Sequence, residues 1–321
     1  MPLDLADRHV QGETDVFMRR HLPELQGGGV EVQVLPTFID DQYLPDGALR
    51  AALRQIEAVH RAERESGGAF EVVGSRAELA AARERGALAG ILAMEGAEAL
   101  GREPELVHEF HRLGVRMIGL TWNRSNEFAD GLAEDRGVGI TPLGERLLRE
   151  MAELRIALDL SHLTPRGCAR ALEVFDGPVL ASHANAFAVY PNPRNLADDL
   201  LAEIGRRGGV VGLVGVAAFV GSPRIAESLA DHYDRIVEMA GPAAPAFGAD
   251  FCDFLLGGPG TPMVIADGAS AADLDLADLP QLPRQTFYRD VLDAVERRNG
   301  ADAGPALAEG NAMRFLTELL P

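Results

Sequence analysis

Two cysteines in 321 residues, Cys168 and Cys252, cannot build a disulfide framework, and such scarcity points to a reducing cytoplasm. Long apolar runs are also missing: none reaches the roughly 18–20 residues of a membrane span. The opening MPLDLADRHV lacks the basic segment and apolar core of a signal peptide. Basic residues are outnumbered, 30 against 49 acidic, for a formal charge of −19 and a pI near 4.8. A field of that sign repels phosphate backbones and anionic lipid, which argues against nucleic acid and membrane surfaces as partners. There is no low-complexity tract and no strong repeat. Apolar side chains are plentiful at 47%, enough for one large barrel or two ordinary domains.

Taken in order, the chain alternates. After a polar start, VFMRRHLPELQGGG reads as a helix stopped by three glycines, and VEVQVLPTFID as a strand. DGALRAALRQIEAVHRAERE carries Leu49, Leu53 and Ile56 at helical spacing. SRAELAAARERG is a helix, ALAGILAMEG a strand ending at Glu95, PELVHEFHRLG a helix and VRMIGLTWN a third strand. Thr141–Pro142 and Thr164–Pro165 pair a capping threonine with a first-turn proline before two helices. Between and after those helices lie the strands RIALDLSH and PVLASHAN, then VVGLVGVAAFV and PAFGADF, the last ending at Asp250. A Gly/Pro-rich stretch, LLGGPGTPM, precedes helices near Thr286–Arg298 and Ala306–Leu320. This alternation predicts a parallel sheet covered on both faces. Seven strands fit an open doubly wound sheet as well as a (β/α)₈ barrel short of its first strand.

Two strands end in histidine, His162 in DLSH and His183 in ASHAN, and the segment between them reads as helix and turn. A β–α–β unit with an imidazole at each strand end aims both rings at one rim. With Glu95 and Asp250 at two other strand ends, the set suits zinc, iron or manganese. Singly, each has an ordinary structural reading: a hydrogen-bonded histidine, a capping or ion-paired carboxylate. Together they make a candidate metal centre in which Glu95 can bridge a second ion and Asp250 is a ligand or a base. Asp159 reads as a carboxylate supporting a ligand or as a buried hydrogen-bonding residue. Arg194 is either a clamp for a substrate carboxylate or a surface partner of Asp198 or Asp199. Trp122, the sole tryptophan, lines a pocket or fills the core. His9, His21, His60, His108 and His111 fall on helices or loops and read as solvated or packing residues, and Cys252 as packing.

The blocks LPELQGGGVEVQVLPTFID, ILAMEGAEAL, LGVRMIGLTWNRSNEFADG, DLSHLTP, PVLASHAN, PRNLADDLL and FGADF, with the closing EGNAMRFL, span nearly the whole chain. On these residues it resembles the renal (membrane) dipeptidase family of zinc metallopeptidases, in a soluble bacterial form. The resemblance implies a (β/α)₈ TIM-type barrel of the metal-dependent hydrolase kind over 1–321, and a homodimer. It implies a metal-dependent dipeptidase that cleaves its substrate through a zinc-activated water. The family's EG glutamate falls on Glu95, bridging two Zn2+ ions. Its two histidines fall on His162 and His183, and its aspartate on Asp250, a ligand that also takes part in proton transfer. Its substrate-gripping arginine falls on Arg194.

Three departures accompany the match. The family opens with a strand ending in His-x-Asp that binds the second zinc, whereas family-like text here resumes at about Pro2. The expectation is a start upstream of Met1 that restores the strand; the rival is a true single-metal chain. Trp122 stands where the family has a histidine near the scissile bond, and tryptophan neither accepts a proton nor binds a metal. Cys252 in ADFCDF departs from aspartate and glycine. Two alternatives follow: a single-metal amidohydrolase or lactonase on another small substrate, and a catalytically inactive barrel acting as a binding module.

Overall fold

The computed structural model describes residues 1–251, 264–265, 269–270 and 284–321. Cys252 and LLGGPGTPM lie outside the described residues. The chain groups into two compact units, one made of Met1–Leu158, Leu163–Gly177 and Leu320–Pro321, the other of Asp159–His162 and Pro178–Leu319.

In the first unit the strands are β1 (Val32–Phe38), β2 (Phe70–Val72), β3 (Leu88–Glu95) and β4 (Val115–Gly119), with β5 (Ala157–Asp159) entering at its last residues. All recorded pairings among β1 to β4 are parallel. β1 lies on one side of β3, in the register Val32↔Ala89 to Phe38↔Glu95. β2 pairs with the start of β3, and β4 with its end, where Glu95 meets Gly119. β3 is buried along LAGILAM and half-open only at Glu95. A near-continuous apolar run is what a strand covered on both faces requires. The sequence reading misses β2, three residues that follow a Gly67–Gly68 pair.

The helix α1 (Pro2–Val10) packs on the long helix α2 (Ala48–Glu65). The buried face of α2 is Ala48, Ala51, Ala52, Gln55, Ile56, Val59 and Ala62. Leu49 and Leu53 point outward, at 41% and 42% exposure, because small alanines let the helix seat closely on its other face. The two predicted threonine caps are present. Thr141 Oγ1 accepts the Gly144 N–H at 3.0 Å and Thr164 Oγ1 the Gly167 N–H at 3.1 Å.

In the second unit the segment Asp159–His162 runs beside β6 (Val179–Leu180), with Leu160 N–H on the Leu180 carbonyl at 2.9 Å. Ala181 donates to the carbonyl of Val210, just before the next strand, and accepts from Gly212 within that strand, β7 (Val211–Leu213). β7 pairs in parallel with β8 (Pro245–Phe247). The strands are shorter than their apolar runs, and the VAAFV tail turns into a short helix, Ala217–Val220. No helix among the described residues is long and apolar enough to cross a membrane.

The connection from β4 to the helix Pro142–Glu153 is built on one carboxylate. Asp130 is fully buried. Its Oδ2 accepts the N–H groups of Val138 and Gly139 at 2.7 and 2.8 Å, and its Oδ1 accepts Arg136 Nε at 2.8 Å. Burial alone would raise its pKa, but the Gly139 amide, Arg136 and the Val138 amide outweigh it and hold the carboxyl below 3.8. As pH falls, the unfolded chain takes up this proton first. The stabilisation is therefore whole above the ordinary aspartate range and is lost as pH drops through and below it. Asp130→Asn is expected to cost about 1–3 kcal/mol by leaving donors facing donors. Urea unfolding between pH 3 and pH 7 checks this, and the variant should show a shallower acid limb than the parent.

Candidate metal centre

His162 and His183, in the second unit, lie three residues past the ends of β5 and β6, not at those ends as the sequence pattern suggests; both are buried, with Nε2 atoms 2.8 Å apart. Their hydrogens are directed by a carboxylate. Asp159 Oδ1 accepts the N–H groups of Ser161 at 3.0 Å and Ser182 at 2.9 Å. Asp159 Oδ2 accepts the Ser182 hydroxyl. A serine has one hydroxyl hydrogen, so toward His183 Nδ1, 2.7 Å away, Ser182 Oγ acts as acceptor. His183 then carries its hydrogen on Nδ1 and keeps a bare lone pair on Nε2. Asp159 thus fills both roles expected of it: it is a hydrogen-bonded carboxylate, and it sets a candidate ligand's tautomer through Ser182.

Arg194 is buried here rather than on the surface. Its Nη2 lies 3.3 Å from His162 Nε2 and donates to the His183 carbonyl at 3.3 Å. Its guanidinium carbon stands 5.4 Å from the Phe219 ring centre. Asp198 pairs instead with Arg235, and Asp199 accepts the Leu200 N–H. With the arginine donating to His162 Nε2, that atom carries no ring hydrogen either, and two nitrogen acceptors face each other. A cation between them would take the His162 lone pair in place of the arginine's hydrogen, with Arg194 keeping the His183 carbonyl, and so the donor set fits a divalent metal. Burial holds the His162 imidazole well below its ordinary range; Arg194 and His183 push the same way, and Asp250 and Asp159 oppose them. The ring is neutral at pH 7, the form that binds metals.

Backbone geometry past these strand ends is unusual. His162 has φ +68° and Asp250 φ +56°, left-handed values that non-glycine residues rarely adopt. The Ser182 carbonyl passes so close to Gly212 and Gly248 that a Cβ on either would meet it at 2.0 and 1.9 Å. Only glycine allows that approach at these two positions. Asn185, fully buried, then locks the chain after His183, bonding both the N–H and the carbonyl of Val214.

His232 was not singled out from the sequence. It is fully buried on the helix Ile225–Ala240; Nδ1 accepts the Ala186 N–H at 3.1 Å and Nε2 donates to the Val220 carbonyl at 3.3 Å. It supports the segment that carries His183. Nothing in its helical neighbourhood marks it apart from any other polar residue of that helix.

In the first unit, Glu95 sits half-buried at the end of β3, and Trp122 lies in the loop after β4, its ring 5.0 Å from that of Phe38. Asp250 follows β8 in the second unit and is exposed. Of the histidines read as packing or solvated, His21 is buried on Asp4 at 2.9 Å, His60 faces Glu63 and His108 faces Glu150.

A family model described as membrane dipeptidase (peptidase family M19) matches residues 1–275. An uncharacterised dipeptidase of Schizosaccharomyces pombe is 28% identical over 257 residues, 74% of this chain; the chain spans 61% of that relative's length. A metallopeptidase from Rhodobacter sphaeroides, solved with a phosphinate mimic of the dipeptide L-Ala-D-Ala, is 26% identical. That match covers 99% of this chain and 97% of the other, with a TM-score of 0.82. A solved M19 metallopeptidase, dipeptidase AC, is 27% identical, covering 93% and 88%, with a TM-score of 0.77. These likenesses give the chain an α/β fold of the TIM-barrel kind.

Ser182→Ala and Asp159→Asn both release the His183 tautomer. Each is expected to weaken divalent-metal binding about 10–100-fold while leaving the far-ultraviolet spectrum unchanged. Competition against a chromophoric chelator measures it.

Proposed function

The chain belongs to the membrane dipeptidase family, M19, and from that premise we propose that it is a metal-dependent dipeptidase using Zn2+. The observation that carries the reading is the buried His162–His183 pair, with its tautomer set through Ser182 and with Arg194 beside it. Bound there, a divalent ion supplies Lewis acidity, lowering the pKa of a water to about 7 and polarising the scissile carbonyl.

His162 and His183 would hold the ion through their imidazole nitrogens. Glu95 and Asp250 are its proposed carboxylate ligands, Glu95 by its match to the family's bridging glutamate. Asp250, at an exposed strand end, carries a proton on a carboxylate oxygen to the leaving amine nitrogen. Arg194 receives the substrate's terminal carboxylate; a buried guanidinium attracts an anion more strongly than a solvated one. The phosphinate ligand of the Rhodobacter sphaeroides relative supports including mixed-chirality dipeptides among substrates. Residues 1–321 are proposed to act as one hydrolase barrel domain. The −19 charge and paired-cysteine scarcity support a cytoplasmic protein without nucleic-acid or membrane partners, and the homodimer rests on family resemblance.

The test is hydrolysis of a broad dipeptide panel by protein carrying a measured amount of zinc. Chelation is expected to abolish turnover and zinc to restore it. His162→Ala and His183→Ala should each lower kcat/KM by about three orders of magnitude, the several kcal/mol that a Lewis acid supplies. Metal-loaded protein that cleaves no dipeptide overturns the reading. Lactone or other amide hydrolysis would then favour the single-metal alternative, which Trp122 motivates, and inactivity on all of them the binding module.

A further inference from the structure

Phe38, Glu95 and Gly119 share one row across three adjacent strands of the first unit: Phe38 pairs with Glu95 between β1 and β3, and Glu95 with Gly119 between β3 and β4. Trp122 follows three residues after Gly119. Its ring meets Phe38 edge to face, with centroids 5.0 Å apart and planes at 77°. Because β1 and β4 flank β3, the two rings that meet come from the chain segments on either side of the strand end that carries Glu95.

Both residues are anchored through their backbones. Buried Gln55 accepts the Phe38 N–H on Oε1 at 3.0 Å and donates Nε2 to the Phe38 carbonyl at 2.6 Å. The Glu98 carboxylate is hydrogen-bonded by the Trp122 backbone and by Asn126 Nδ2 at 3.0 Å. Arg124 bonds Asp41 at 2.6 Å, tying the loop after β4 to the loop after β1. The rings are therefore held, yet they are not part of the closed core. Phe17, Phe70, Phe110, Phe128, Phe175 and Phe287 are fully buried, whereas Phe38 and Trp122 are half-open. A fixed, half-open aromatic wedge beside a strand-end carboxylate has the form of a recognition surface: rigid apolar area next to one charge.

We propose that Phe38 and Trp122 form an apolar wall of the substrate site, selecting dipeptides with a large apolar side chain, aromatic or branched, at one of their two residues. This rests on the dipeptidase reading and names its substrate class. Trp122 is the only tryptophan, so its emission reports the wall directly.

The experiment titrates zinc-loaded protein with two phosphinate dipeptide mimics that differ only in a benzyl or a methyl side chain. The benzyl compound is expected to shift Trp122 emission and to bind about tenfold tighter than the methyl compound, with Phe38→Ala and Phe38→Leu reducing that preference. In parallel, the kcat/KM ratio of phenylalanine-containing dipeptides to Ala-Ala should fall about tenfold in Trp122→Ala. Equal binding of the two mimics by the parent, or a preference unchanged in both Phe38 variants, overturns the wall. Hydrolysis of dipeptides with no selectivity overturns the wall alone. Preferential benzyl binding without any dipeptide hydrolysis overturns the dipeptidase reading and leaves the wall standing.

Discussion

The second unit's chemistry depends on one carboxylate accepting three hydrogens. Asp159 takes the Ser161 amide, the Ser182 amide and the Ser182 hydroxyl, and the last of these decides which nitrogen of His183 is bare. Remove that direction and the ring is as ready to present an N–H to the rim as a lone pair. The geometry that allows it is backbone geometry. His162 turns into its place through a left-handed residue, and the Ser182 carbonyl fits only because Gly212 and Gly248 have no side chains. Strain at His162 is tolerated because hydrogen bonds on both neighbouring strands over-determine the segment.

A second carboxylate does similar work in the first unit with a different result. Asp130 is buried and held ionised by two amides and an arginine. Its effect is to pin the loop after β4 on itself, from Ser125 to Gly139. Glu98, nearby, is the contrasting case. Burial pushes its pKa up to about 7, because Asn126 and the Trp122 backbone do not fully replace the water it has lost. A carboxyl surrounded by enough donors stays charged and structural, and one with too few becomes titratable near neutrality.

The parts legible in the sequence were those where pattern and chemistry coincide. The threonine–proline pairs show a cap where a helix starts, and both caps are present; DLSH and SHAN show a histidine close after an apolar strand, although the ladders stop at Asp159 and Leu180, three residues before each ring. Strand lengths were not legible, since an apolar run marks burial and not ladder pairing. VGLVGVAAFV is apolar throughout, yet the ladder ends at Leu213 and the tail is helical. Leu49 and Leu53 have the helical spacing read for them, but spacing alone does not say that the buried face of that helix is mostly alanine and leaves both leucines exposed. His232 was missed for a different reason: its partners, Ala186 and Val220, are far from it in sequence. The choice of barrel over open sheet came from family-like blocks and not from periodicity.

Aromatic scarcity sharpens what the first unit implies. Among the described residues, six phenylalanine rings exclude water fully, in a chain with only 6% aromatic residues. Leaving Phe38 and Trp122 half-open forgoes part of the stabilisation that burying two such rings would give, on the order of 1–2 kcal/mol each. Anchoring their backbones through Gln55 and Glu98 then fixes the rings in that less stable arrangement. A core defect would relax, with the loops sliding until the rings closed over. The Arg124–Asp41 pair and the buried Asp130 oppose such sliding. An apolar surface that is both exposed and immobilised gains its missing burial only when something apolar is laid against it, and its position beside Glu95 makes a substrate side chain the natural candidate.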